Sequence, residues 1–213
     1  MSGLHVGTSG WGYPSWQPGF YPAGLDRGAF LTFYAAHLDT VELNATKYRL
    51  PSEQQFRSWA AQVPDGFRFA VKAPDGIEGR LATFEERVRC LGDRLGCVRV
   101  VVERPRDDGF LELFLGSVDP TIRYALDLRD PSWDGVEPRL SEARVVRVDD
   151  RSGAAGWAYL RFRELVYPDL ELGAIATELG EQARSGTDVL AYFRHGDAPD
   201  APRAATLVRA LAG

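Results

Sequence analysis

Polar residues of catalytic and anion-binding types recur where strand-like segments of this chain end. Glu42 and Asn44 close the stretch VELN. They lie two residues apart and so share one face of an extended strand. Asp127 and Arg129 repeat that spacing in LDLR. If one of each pair points into the interior, both do, and a buried carboxylate then needs compensation because desolvation opposes its charge. Lys72, Arg129 and Arg161 are the cations placed to supply it. The basic residues number 25, and among them only Lys47 and Lys72 are lysines. Lysine can titrate and act as a nucleophile or base, whereas arginine binds as a permanent planar cation. Glu103 with Arg104, Asp149 with Asp150, and Arg194 with His195 end three further strands. A salt-bridge network that only satisfies buried polar groups is the competing explanation for any one of them. Recurrence on at least five strands favours a site.

The elements that must hold these residues follow from apolar periodicity. Strands are predicted at 4–9, 40–44, 67–72, 97–103, 123–129, 144–149, 158–162 and 189–194. Helices are predicted at 27–37, 52–62, 83–95, 108–117, 168–185 and 199–212. Ser52 serves as an N-cap, Thr83 with Glu86 forms a capping box, and Asp107 or Asp108 opens the short fourth helix. Eight strands alternating with helices give an α/β chain of the TIM-type (β/α)8 barrel class, in one domain over residues 1–213. Only about eight residues, Asp150 to Trp157, join strands 6 and 7, too few for a helical crossover. The barrel is therefore expected to be compact and irregular there, with either an extended return or a local antiparallel hairpin. In such barrels the site forms at the C-terminal ends of the strands.

Composition narrows the function classes. A net charge of −5 argues against broad nucleic-acid or anionic-membrane binding, which needs a basic face, but leaves room for a local basic pocket. Cys90 and Cys97 have no metal or redox spacing, and His5, His37 and His195 lie far apart, so no metal site of histidine or cysteine is expected. No apolar run is long enough to cross a membrane and no leader segment is evident, which gives a cytoplasmic reading. GWGYPSW places Trp11, Tyr13 and Trp16 in one glycine- and proline-rich loop, either capping the barrel or offering a stacking wall. It matches no phosphate-loop pattern.

In chain order, VGTSGWGYPSW…FYP, TVELNATKY, DGFRFAVKAP and LDLRDPSW resemble the YecE-like proteins, the domain of unknown function 72, over nearly the whole chain. The resemblance implies a TIM-type barrel and no particular reaction. It also implies recurrent polar positions at Glu42, Asn44, Tyr48, Lys72, Arg129, Trp133, Asp149 and Arg161. This chain departs from that pattern in carrying Lys47 in place of an aromatic residue and ERPR, with Glu103 and Arg106, in place of QLPP. Asp127 stands for the family's acid and Asp130 for its histidine, and the extra charges Lys47 and Glu103 could pair.

The functional expectation is an enzyme acting on a small anionic substrate, phosphorylated or carboxylated. Glu42, Lys72, Asp127 and Asp149 form the candidate catalytic set. Trp11, Asn44, Tyr48, Glu103, Arg129, Trp133, Arg161 and Tyr167 form the candidate binding set, with Arg129 and Arg161 on the anion and Trp11 and Trp133 flanking it. No cofactor is expected under this reading. Two alternatives stay open. One is a phosphodiesterase or nuclease in which Glu42, Glu103, Asp127 and Asp149 hold a divalent metal. The other is a non-catalytic ligand-binding module.

Overall fold

A computed structural model describes residues 3–44 and 50–212 of the chain. Its strands are β1 (Leu4–Thr8), β2 (Thr40–Leu43), β3 (Arg68–Lys72), β4 (Leu95–Val102), β5 (Tyr124–Leu128), β6 (Val146–Arg147), β7 (Trp157–Phe162) and β8 (Asp188–Phe193). Its helices are α1 (Phe30–His37), α2 (Glu53–Ala61), α3 (Leu81–Val88), α4 (Asp108–Ser117), α5 (Glu137–Glu142), α6 (Asp169–Arg184) and α7 (Asp200–Ala212). All neighbouring strands pair in parallel, in the order β6-β5-β4-β3-β2-β1-β8-β7. The sheet curls into a nearly closed (β/α)8 barrel. Among the described residues, no helix is long and apolar enough to cross a membrane.

Local chemistry explains several boundaries. Ser52 Oγ accepts the Gln55 N–H at 3.2 Å and starts α2, and the Asp107 carboxylate accepts the Phe110 N–H at 3.0 Å and starts α4. The predicted capping box fails: α3 begins at Leu81, so Thr83 lies inside the helix and Arg80 occupies the cap. The helix expected over 83–95 continues past Val88 only as a 3₁₀ segment, Arg89–Arg94. The short helix α5 went unpredicted.

The connection between β6 and β7 is neither an extended return nor an antiparallel hairpin but a loop of turns, with Gly153 and Gly156 at positive φ, and β6 spans two residues where six were expected. Asp149, at φ 70°, turns the chain out of the strand conformation just beyond β6. The seam between β6 and β7 has no ladder; there the Asp149 N–H donates to Tyr159 O at 2.9 Å.

Apolar residues form two layers. An outer one lies between sheet and helices and includes Val6, Val41, Val71, Val98 and Leu160. An inner one, of Ala70, Cys97, Ala125, Tyr159 and Tyr192 among others, fills the barrel. Side chains two apart on a strand share a face. Each of these inner residues is therefore followed, two positions nearer the C-terminal mouth, by a charged one: Lys72, Arg99, Asp127, Arg161 and Arg194. The period-2 pattern thus stacks an ionic layer on an apolar plug.

Candidate functional site

The ionic layer is built around Arg99, which is 2% exposed. Its Nη1 lies 3.2 Å from Glu42 Oε2, and its Nε donates to Asp127 Oδ2 at 3.1 Å. Glu42, fully buried, also accepts from Arg161 Nη2 at 3.3 Å and from the Tyr159 hydroxyl. Asp127 holds Arg129 by two contacts, Nε to Oδ1 at 2.8 Å and Nη2 to Oδ2 at 3.0 Å. Asp149 accepts the Arg161 backbone N–H at 2.7 Å and pairs with Arg163. The strained φ at Asp149 and these contacts go together, since the turn aims its carboxylate back at β7. Glu42, Asp127 and Asp149 thus hold Arg99, Arg129, Arg161 and Arg163 in one network.

Electrostatics follow from the pairing. Burial alone would push the Glu42 carboxyl up, but Arg99 and Arg161, with hydrogen bonds from Tyr159 and Asn44, outweigh it and hold Glu42 below the usual range. Burial opposes the charge on Asp127 as well, and Arg99 and Arg129 hold that carboxyl low. Both are therefore fixed as carboxylates near neutral pH. Burial and the Glu42 charge push the Tyr159 hydroxyl far up, so it stays a donor. The Nε atom of Arg161 is buried without a hydrogen-bond partner among the described residues.

Above this network opens a cavity of about 360 Å³. Among the described residues its lining is Ser9, Asn44, Lys72, Arg99, Arg129, Arg161, Arg163, Arg194 and His195, six cationic side chains and no acidic one. Glu42 and Asp127 lie buried behind the cations, whereas Asp149, part-exposed, lines a neighbouring cavity that shares Arg129 and Arg163. Small-molecule sites commonly measure roughly 300–1,000 Å³. A second cavity, about 320 Å³, sits at the opposite, N-terminal end, lined in part by His5, Arg68, Arg123 and Asp188. There Arg123 pairs with Asp188, and Arg68 donates to the carbonyls of Asp65 and Phe67 at 3.1 Å each. In barrels of this type, residues at that end support the fold.

Of the sequence-predicted residues, Glu42, Asn44, Lys72, Asp127, Arg129, Asp149 and Arg161 come together at the mouth. Trp133 does not flank a ligand: it is fully buried and its Nε1 donates to Arg104 O at 2.9 Å. Trp11 packs edge-on against Trp59 at 5.6 Å, off the cavity lining. Tyr167 packs on Phe162 and Phe193 and its hydroxyl accepts the Glu164 N–H at 2.9 Å, also off the lining. Glu103 is exposed and outside the lining. Tyr48 and the suggested Lys47–Glu103 pair lie outside the described residues.

Sequence reasoning missed Arg99, the hub. Its signal was present, as one charge in the middle of CVRVVVE with the same parity as Cys97. A run of valines hid it. Ser9, Arg163, Arg194 and His195 join the lining at the strand ends, although none of them is in the expected binding or catalytic sets.

Among the described residues, no group of three or more histidine, cysteine, aspartate or glutamate side chains could hold a metal ion. Glu42, Asp127 and Asp149 already face arginines. Those fixed positive charges repel a divalent cation at the same oxygens.

Comparison with known proteins agrees with the fold. The family model described as "Protein of unknown function DUF72" matches residues 5–213. "UPF0759 protein YecE" of Escherichia coli (strain K12) is 28% identical over 142 residues, 61% of this chain and 50% of that protein. "UPF0759 protein YunF" of Bacillus subtilis (strain 168) is 30% identical over 76 residues, 36% of this chain and 26% of that protein. The chain therefore spans half or less of the length of these curated relatives. A crystal structure of a DUF72 family protein from Thermotoga maritima MSB8 superposes with a TM-score of 0.84 at 21% identity, covering 98% of both chains. One from Enterococcus faecalis V583 gives 0.81 at 16% identity, covering 99% of this chain and 95% of that one.

Proposed function

This chain belongs to the DUF72 family, and from its geometry we propose that it is an enzyme taking a small anionic substrate, phosphorylated or carboxylated, at the C-terminal mouth of the barrel. The observation that carries this reading is a cavity lined, among the described residues, by six cationic side chains and no acidic one, in a protein of net charge −5. Guanidinium groups suit phosphate and carboxylate because their donors are forked and coplanar. Arg129, Arg161 and Arg194 would take the anion.

Glu42 and Asp127 change role in this reading. A general base works best with a pKa near the working pH. Both carboxyls are held low by arginine, so they serve to position cations. Lys72 and His195 are the groups in the cavity lining suited to proton transfer or to stabilising developing charge. The metal-assisted alternative has less support, because three of its four proposed ligands, Glu42, Asp127 and Asp149, are engaged by arginine. A binding module without turnover is the competitor that the depressed carboxyl values favour, and turnover assays separate it from the enzyme.

A thermal-shift screen of inorganic phosphate, sugar phosphates, small carboxylates and divalent metals tests the proposal. A ligand at about a hundred times its Kd stabilises the native state by roughly 2.7 kcal/mol. For a chain of this length each kcal/mol moves Tm by roughly 2–4 °C. An anion should therefore raise Tm by about 5–10 °C, and Arg129→Ala should abolish most of that rise. A rise with metals alone would overturn the anion reading.

A further inference from the structure

At the junction of β1 and β8, Ser9 and His195 form a bonded pair that the network above does not use. Ser9 is 1% exposed. Its Oγ accepts the His195 backbone N–H at 3.1 Å and lies 3.0 Å from His195 Nδ1. The hydroxyl has one proton to give, and two acceptors are in reach. One is His195 Nδ1; the other is Phe193 O at 3.5 Å, which already accepts the Ser9 N–H at 2.9 Å. The contact to Nδ1 is the shorter and reaches the less occupied acceptor, which favours donation of the hydroxyl proton to Nδ1 over the reverse chain, Nδ1–H to Oγ with the hydroxyl turned to Phe193 O. A neutral imidazole whose Nδ1 accepts must carry its proton on Nε2.

The ring is fixed from its face as well. Tyr13 stacks on it with centroids 4.4 Å apart and planes 19° apart, and the Tyr13 hydroxyl donates to Ser9 O at 3.1 Å. Gly10 makes that fold-back fit: its φ is 104°, and a Cβ there would lie 2.5 Å from the Tyr13 hydroxyl. His195 lines the cationic cavity.

We propose that Ser9 locks His195 in its Nε2–H form, and that this imidazole gives the cavity an uncharged donor, so the ligand carries a neutral carbonyl or hydroxyl oxygen beside its anionic group. This rests on the anion reading above. The logic is one of contrast. The guanidinium donors of the lining suit the charged oxygens, and a neutral donor is matched to an oxygen whose charge develops only during reaction. An imidazolium would instead add a seventh cation and compete for the anion.

The ring's surroundings favour the neutral form. Burial lowers its pKa, and Arg194 on its own segment and Arg161 from β7 lower it further. A hydrogen bond to the Ser9 backbone and the Glu42 charge from β2 act the other way without overcoming burial. A neutral histidine held as a donor next to bound anion is a known way to polarise a carbonyl.

The test is nitrogen-15 NMR on histidine- and arginine-labelled protein at pH 7.5, with inorganic phosphate and dihydroxyacetone phosphate as probes. The free protein should show His195 protonated on Nε2. Both probes should shift the Nε signals of Arg129 and Arg161, and dihydroxyacetone phosphate should also shift His195 Nε2. Ser9→Ala should let the ring populate its other tautomer while the phosphate-induced arginine shifts persist. If that variant fails to fold, His195→Gln, which keeps a donor near the same position, should retain dihydroxyacetone phosphate binding that His195→Phe loses. A proton on Nδ1 in the wild type overturns the inference. So do arginine shifts with dihydroxyacetone phosphate that leave His195 unmoved. No arginine shift with either probe overturns the anion reading, and this inference with it.

Discussion

Replacing Arg99 by methionine removes the hub of the ionic layer with little change of volume. The side chain is nearly fully buried and bridges two carboxylates, Glu42 at 3.2 Å and Asp127 at 3.1 Å. Arg129 still pairs with Asp127, and Arg161 and Tyr159 still bond Glu42, so the carboxylates are not stripped bare. Breaking a buried pair from one side costs about 3–5 kcal/mol. At roughly 2–4 °C per kcal/mol for a chain of this length, Tm should fall by about 6–20 °C.

The pH dependence gives the sharper check. In the wild type the folded pKa values of Glu42 and Asp127 are depressed. Their stabilisation is present above the unfolded carboxyl values of about 4 and is lost as pH falls through the lower folded values. In the variant, desolvation has lost its main opponent, so both folded values rise. Protonation then favours the folded variant. The gap in stability between wild type and Arg99→Met should therefore narrow as pH drops from 7 to 4 in urea-melt measurements. A gap under about 1 kcal/mol, or one that stays constant with pH, would refute the assignment of Arg99 as the charge hub.

Further outcomes follow from local geometry. Gly7→Ala should cost about 3 kcal/mol or more, because a Cβ there would lie 1.9 Å from Thr40 O and 2.9 Å from the Tyr34 hydroxyl that stitches β1 to β2; chemical denaturation measures it. Asp149→Asn should be milder than Asp149→Val in the same assay. Asparagine tolerates the φ of 70° and can accept the Arg161 N–H, whereas a β-branched residue does neither. Ser52→Ala should lower stability by about 1 kcal/mol through loss of the α2 cap, read from the shift in denaturation midpoint.

The barrel was legible in the sequence because period-2 apolar runs and helical stretches alternate, and each residue pattern has one economical solution. The parity of Glu42 with Asn44 and of Asp127 with Arg129 also carried through to the mouth. What could not be read was which cation meets which acid. Arg99 sits 57 residues from Glu42 and 28 from Asp127, and only the closure of the barrel brings them together. The tryptophans misled for a related reason. Trp133 looked like a rim aromatic from its loop, yet the chain around it folds inward and the indole fills the core. The shortness of β6 goes with two backbone angles that bracket it, φ 57° at Arg144 and φ 70° at Asp149, which no periodicity encodes.

The most direct measurement of the central claim is a crystal soaked in arsenate, a tetrahedral anion visible by anomalous scattering. The account predicts a peak in the C-terminal cavity, within hydrogen-bonding distance of at least two of Arg129, Arg161 and Arg194, that disappears in Arg129→Ala crystals. A peak only in the N-terminal cavity by Arg68 and Arg123, or none at the mouth, would contradict it.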